Sequence, residues 1–473
     1  MVDDGSDRSW DLRIGAIIVF RTVCHRPTLW EVLLPPEALV MPPELAAVDD
    51  LLDDPRFFEP FRRWFDPLFG RPSIPMETYL RLMFLKYRYR LGYETLCTEV
   101  SDSLTWLRFC RIPIGERAPH PTTLMKITTR CGSSTIEALN AELLAVASEA
   151  GVVDLSWLRT DTTVVPADIK YPTDSGLLTK GVSQIARLIA RIKAASIAPR
   201  SAFDDSTPSA RQAAHRIGSK LRRRSDDAKA EVLVITGELA DLAETTLEQA
   251  RRVLANANRV ADRPVRRLRR MLADLHHLIE AVGQLIAQTR LRLAGETPPA
   301  KTRRVSLHDD DARPIRKGSL ATPTQFGYTG QVTDTRDGIV VDYELEAGMP
   351  PDAPRLAPAV ERIITATGTV PDAVTADRGY GQASVDAGLE ALGVKTVAIL
   401  RKGQPGAARR SVEAGDDFVE LIKWRTGAEG RIAALKRQHG WGRARIRNLE
   451  GARIWCGWGI LSHNAIKIAA LCS

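Results

Sequence analysis

The stretch LRTDTTVVPADI, residues Leu158 to Ile169, decides how this chain is to be read. Its threonines and valines are β-branched and stiff at χ1, so they favour a pleated strand over a helix. Asp161 stands inside that run, and a strand has no structural use for it, because aspartate is depleted there. A carboxylate in such a place points towards chemistry.

Working outward from it, the character changes on both sides. Upstream, from Leu29 to about residue 150, the pattern is helical. METYLRLMFLKYRYRLG repeats Tyr79, Leu82, Met83 and Leu85 to Tyr87 at helical intervals, and Pro121-Thr122 opens a further helix expected to close at Gly132. This reads as a helical N-terminal domain, with residues 1–28 as an extension lacking periodicity. Downstream, Leu268, Leu272, Leu275, Ile279, Val282 and Ile286 form a heptad seam, and Val232, Ile235, Leu239 and Leu242 a shorter one. Pro264 between them suits a helix start. Residues 181–300 are therefore expected to be a long helical hairpin inserted after the first strand.

Strand character resumes at Gln325 to Thr333 and Gly338 to Tyr343, across the turn-forming residues Asp334 to Asp337. A helix over Leu356 to Thr367 leads to the short strand AVTAD, which ends at Asp377. Then come a helix (Ser384 to Leu392), a strand (Val394 to Leu400), a basic loop and a last pair of helices. The predicted class is α/β, a mixed sheet over 151–180 and 301–473 interrupted by the insertion.

Composition bounds the partners. The 473 residues exceed one ordinary core, and 44% hydrophobic with 26% charged residues describes a globular chain, not a disordered one. The formal charge is +8, which favours an anionic partner. Residues 181–300 hold 21 Lys and Arg against 13 Asp and Glu, while the rest balances at 45 against 45. One segment thus carries the whole excess, as phosphate contact or as a solvated helix surface. The six cysteines (Cys24, Cys97, Cys110, Cys131, Cys456, Cys472) show no zinc-ligand spacing and read as reduced thiols. The apolar run Ile14 to Phe20 is too short to span a bilayer and lacks a cleavage pattern. A cytoplasmic, nucleoid-associated protein is expected.

Three carboxylates share an address in this order of elements. Asp161 lies in the first strand, Asp377 ends a later one before Arg378-Gly379-Tyr380-Gly381, and Glu429 heads a helix. Strand ends and the adjoining helix meet at one sheet edge, where α/β sites form. Converging carboxylates repel one another, and a divalent cation removes that cost. Oxygen ligands without His or Cys suit Mg²⁺ or Mn²⁺, and two such ions suit phosphodiester displacement. Glu429 also admits a plainer reading, because Thr426-Gly-Ala-Glu429 fits a capping box. If the helix begins by Arg425, however, then Arg425, Glu429 and Lys436 fall on one face, two cations beside a carboxylate. The histidines His215, His276, His277, His308, His439 and His463 offer no paired geometry, and Asp168 and Asp174 read as turn residues.

The stretch from Trp424 to Lys436, WRTGAEGRIAALK, resembles the R-x₃-E-x₆-K signature of DDE transposases from bacterial insertion sequences. The family's aromatic residue three positions before the arginine is Ile422 here. Asp161 in LRTDTTVV and Asp377 in TADRGYG match the first and second acids, and Ser73 to about Gly132 looks like the helical N-terminal domain of such transposases. The resemblance runs from Leu29 to Leu471. It implies an RNase H-like core, two Mg²⁺ (or Mn²⁺) ions, and a homodimer acting on terminal inverted repeats and target DNA. Asp161 would bridge both ions, with Asp377 and Glu429 each holding one. The reaction implied is cleavage at element ends, then attack of the freed 3′-hydroxyl on target DNA. Arg425, Lys436 and Arg378 would hold phosphates, Tyr380 would stack or position, and Arg401 and Lys402 are further DNA contacts. Two other readings are an RNase H-fold nuclease that cuts without joining, and an inactive DNA-binding regulator. No small-molecule cofactor or membrane partner is implied.

Overall fold

The computed structural model describes residues 18–22, 33–35, 37, 40–222, 225–260, 266–316 and 323–472. Most of the 1–28 extension and Pro264, read above as a helix start, lie outside the described residues. The chain divides into two compact units. One comprises Met1–Pro166, Thr329–Glu346 and Pro350–Ser473; the other comprises Ala167–Tyr328 with Ala347–Met349.

The first unit opens with two short parallel strands, β1 (Ile18–Val19) and β2 (Arg71–Pro72). Its early helices are α1 (Pro43–Leu51), α2 (Glu59–Arg62), α3 (Met76–Arg88), α4 (Tyr93–Ser101), α5 (Leu104–Phe109) and α6 (Pro121–Glu149). Gly132 does not end its helix as expected. It kinks a longer one, at φ 66° and ψ −175°, and the chain continues helical to Glu149. Glu450 accepts the freed Ser133 N–H at 2.7 Å and the Ser133 hydroxyl at 2.9 Å, which caps the second half. The strand around Asp161 is β3 (Trp157–Pro166).

The second unit holds α7 (Asp174–Ala194), α8 (Thr207–Lys220), α9 (Asp226–Val260), α10 (Arg266–Leu293) and β4 (Arg313–Arg316). The two predicted seams lie on α9 and α10 and bury Ile235, Leu239, Leu275, Ile279 and Val282 together. Two further helices, α7 and α8, add Val182, Ile185, Ile189 and Ala210 to the same core. Among the described residues the insertion thus holds four helices, and the bounds of its unit exceed the expected 181–300. Short helices rich in polar residues, such as α8, leave a weak period in sequence and look like loop there.

The chain then returns through β5 (Thr324–Asp334), β6 (Val340–Ala347), α11 (Ala353–Thr367), β7 (Ala373–Ala376), α12 (Ala383–Ala391), β8 (Thr396–Ala398), α13 (Ala407–Glu413), α14 (Asp416–Arg425), α15 (Ala428–Gln438) and α16 (Asn448–Cys472). The sheet order is β4-β5-β3-β7-β8, with β6 also on β5. β3, β7 and β8 are parallel. The central β3 is covered on both faces, as parallel strands require. On one face Leu158, Val374 and Ala376 pack with Leu356, Val360 and Leu389. On the other, Ala373 and Ala398 pack with Phe418 and Leu421, joined by Trp157, Ile422 and Trp424. Ile422, where the family carries an aromatic residue, therefore serves this apolar layer.

The helices of residues 29–150 share one compact unit with the C-terminal helices. The C-terminal α16 packs into them, with Trp458 5.9 Å from Tyr79 and Trp455 5.0 Å from Tyr87 between ring centroids. A helix that is apolar all round must be buried all round, and α16 finds its cover there.

Candidate active site

Alternation along β3 sends Trp157, Arg159 and Asp161 to one face. Trp157 lies in the apolar layer beside α14, so Asp161 points to the side of the sheet covered by the last helices. Strand register sets the second acid. Arg159 pairs with Thr375 and Thr160 with Ala376, so the next step puts Asp161 beside Asp377, just past the end of β7.

Glu429 comes to the same face through α15, which packs on β3. The Nη1 of Arg159 donates to the Trp424 carbonyl at 3.0 Å and lies 2.6 Å from where a Cβ of Gly427 would stand. Only glycine permits that approach. The face carrying Asp161 is therefore the one on which α15 begins. The capping-box reading of Glu429 falls. Gly427 is the N-cap of α15 without a side-chain bond, and the Thr426 hydroxyl turns back to the Lys423 carbonyl at 2.7 Å. Arg425 also needs correction. It ends α14, and a tight turn separates it from α15, so only Glu429 and Lys436 share a helix.

Asp161 is half-buried, and Asp377 and Glu429 are exposed. Asp161 accepts the Thr162 N–H at 2.7 Å, and Asp377 accepts the Gly379 N–H at 3.4 Å, a long bond for a turn cap. Among the described residues, no three His, Cys, Asp or Glu side chains stand close enough to enclose a metal ion. The three acids do not close into a cage. Their donor type, oxygen alone, fits a hard divalent cation.

The predicted DNA contacts separate. Arg378 gives its guanidinium to the carbonyls of Arg401 (3.2 Å) and Gly403 (2.9 Å), and so ties the basic loop to the Asp377 turn. Arg401 bonds Asp386 at 2.7 Å and is spent on folding, whereas Lys402 is exposed. Tyr380 is fully buried and donates to Gln331 at 3.1 Å. It positions the turn and cannot stack on a base as folded. Arg425 and Lys436 are half-buried.

Two further acids matter that no sequence pattern singles out. Asp352, ahead of α11, lies 3.4 Å from where a Gly379 Cβ would stand, on the turn that follows Asp377. Burial and then the neighbouring Asp377 charge push its carboxyl up, against a hydrogen bond from Thr162. Asp334, expected in a turn, is instead a buried node holding Arg159 and Arg431. A terminal Asp on a strand is a turn signal unless its neighbour in space is known. The histidines also depart from expectation. His439 and His463 are buried with ring centroids 5.1 Å apart. Burial lowers them to about 3 and about 4.

Residues 34–130 match the family described as a transposase domain (DUF772), and residues 321–465 match the transposase DDE domain. The chain is 29% identical over 137 residues to the uncharacterized protein ORF8 in the nfe locus of Rhizobium meliloti. That match covers 28% of this chain and 66%, just under two thirds, of the relative. No solved structure matches the chain.

Proposed function

From a chain whose two matched domains make it a DDE transposase of the insertion-sequence type, with an RNase H-like core, we propose that it cleaves DNA at element ends and transfers the freed 3′-hydroxyl into target DNA. One observation carries this reading. Asp161 and Asp377 each come directly after the last paired residues of two parallel strands, Thr160 and Ala376, and the helix that carries Glu429 packs on the first of those strands, which supports reading the three as one site. Fold stability alone gives no reason for three acids there.

Asp161, Asp377 and Glu429 would hold divalent ions, and the family's use of such ions agrees with their oxygen-only donors. Bound ions would neutralise the scissile phosphate and activate the attacking oxygen. The protein's own part is placement. Asp161, the most buried of the three, lies on the central strand. Lys402, exposed on the loop that Arg378 ties down, Arg425 at the end of α14 and Lys436 on α15 would bind backbone phosphates. A homodimer on paired inverted repeats is the assembly expected. Among the described residues, no helix is long and apolar enough to cross a membrane.

The test is a labelled terminal-repeat duplex incubated with the full chain and Mg²⁺. Cleavage with joining is expected. Cleavage alone would make the protein a nuclease, and binding alone a regulator.

A further inference from the structure

The Asp334 carboxylate is 2% exposed and receives three charge-assisted hydrogen bonds. Arg159 engages it bidentately, Nε to Oδ1 and Nη2 to Oδ2, both at 2.8 Å. Arg431 adds Nε to Oδ2 at 3.0 Å. Both arginines stand two positions from a proposed catalytic acid. Arg159 precedes Asp161 on β3 and shares its face. Arg431 follows Glu429 on α15.

The third nitrogen of Arg159 reaches the Trp424 carbonyl at 3.0 Å, and its guanidinium lies over the Trp424 ring at 4.8 Å. The same cation thus holds the junction of α14 and α15. Two glycines make room. Gly427 leaves space for Arg159, and Gly338, at φ +79°, lies where any Cβ would collide with the Arg431 guanidinium. Fork-shaped, buried and bidentate pairs fix angle as well as distance. A lone hydrophobic contact would not set the rotation of α15 about its axis, and that rotation decides where Glu429 points.

We propose that Asp334, through Arg159 and Arg431, is the positioning residue that registers the Glu429 helix against the Asp161 strand. Its carboxylate is taken up by the two arginines. The proposal rests on the reading of Glu429 as the third acid.

The experiment compares the full-length wild type with Asp334→Asn, Arg431→Gln and Glu429→Gln. Mn²⁺ affinity is measured by calorimetry without DNA, alongside duplex binding, thermal midpoint and end cleavage. Removing a group that orients an ion ligand costs about 10–100-fold in metal affinity or activity. Asp334→Asn should therefore weaken Mn²⁺ binding and cleavage by about that factor, with duplex binding unchanged at temperatures where it is folded. Arg431→Gln, which removes the single-bonded arm from a less buried position, should show a smaller loss of the same kind and keeps the test open if Asp334→Asn does not fold. Wild-type Mn²⁺ affinity and cleavage in these folded variants, with Glu429→Gln impaired, would overturn the positioning role alone. Wild-type behaviour of Glu429→Gln would overturn the reading of that acid, and this inference with it.

Discussion

In the sheet-bearing unit, Arg159, Asp334 and Arg431 meet with side chains 6%, 4% and 16% exposed; in the four-helix unit, Arg216 and Glu238 pair with both side chains 51% exposed. Lys229 and Asp226 are still more open, at 70% and 94%. Buried charges lose hydration that only well-placed partners restore, so breaking one member is costly and geometry is held tightly. Exposed pairs are screened and contribute about 0–1 kcal/mol. The first unit uses ionised groups to place atoms. The pairs on α8 and α9 of the second are displayed to solvent, and its segment 181–300 accounts for the whole net charge of +8.

The sharpest break in that comparison is at the acids themselves. Asp161→Asn, Asp377→Asn and Glu429→Gln should each lower end cleavage at least about 10³-fold, since losing an ion ligand removes several kcal/mol of transition-state stabilisation. Duplex binding by gel shift should be retained. Any of the three cleaving at the wild-type rate would remove that residue from the site.

Next in size is stability. Asp334→Ala leaves two guanidiniums without their carboxylate, and chemical denaturation should register a loss of about 3–5 kcal/mol. Arg216→Ala in the four-helix unit should stay within about 0.5 kcal/mol of wild type. Equal losses would erase the distinction between the units.

Acid should act on the first unit through its histidine pair. Both rings titrate below the ordinary 6.5 because burial disfavours their cations. The unfolded chain then binds protons that the folded one refuses, so stability is full above about pH 6.5 and falls as pH drops towards about 4. His463→Gln should flatten that slope in denaturation curves taken across this window. An unchanged slope would mean that other groups govern it.

The smallest effect on folding is expected from the exposed arginines Arg267, Arg269 and Arg270 of α10. Replacing all three with Gln should leave the thermal midpoint unchanged. If this surface meets DNA, the slope of log affinity against log salt should fall by about one for each phosphate that an arginine had neutralised. An unaltered slope would assign the charge to solvation.

Local pattern was enough for much of this. The threonines and valines around Asp161 announced a strand, and the leucine spacing of α9 and α10 announced two paired helices, because both signals act between near neighbours in the chain. Asp161 and Asp377 were legible as acids out of place. The four-helix extent of the insertion was not, since α8 packs few large side chains and depends on its neighbours for its core. Nor was the merging of α16 with the early helices, which joins residues more than 300 positions apart and leaves no periodic trace.

The amino-acid order by itself determined the class of the sheet, the candidate acids and the place of the charge excess, all properties of residue type and short spacing. Tertiary structure alone decided three matters. It set β3 beside β7 in parallel, buried Tyr380, and turned Asp334 from a turn residue into the buried partner of two arginines. Register and burial depend on which distant segments meet, and a carboxylate's role follows from what surrounds it in space.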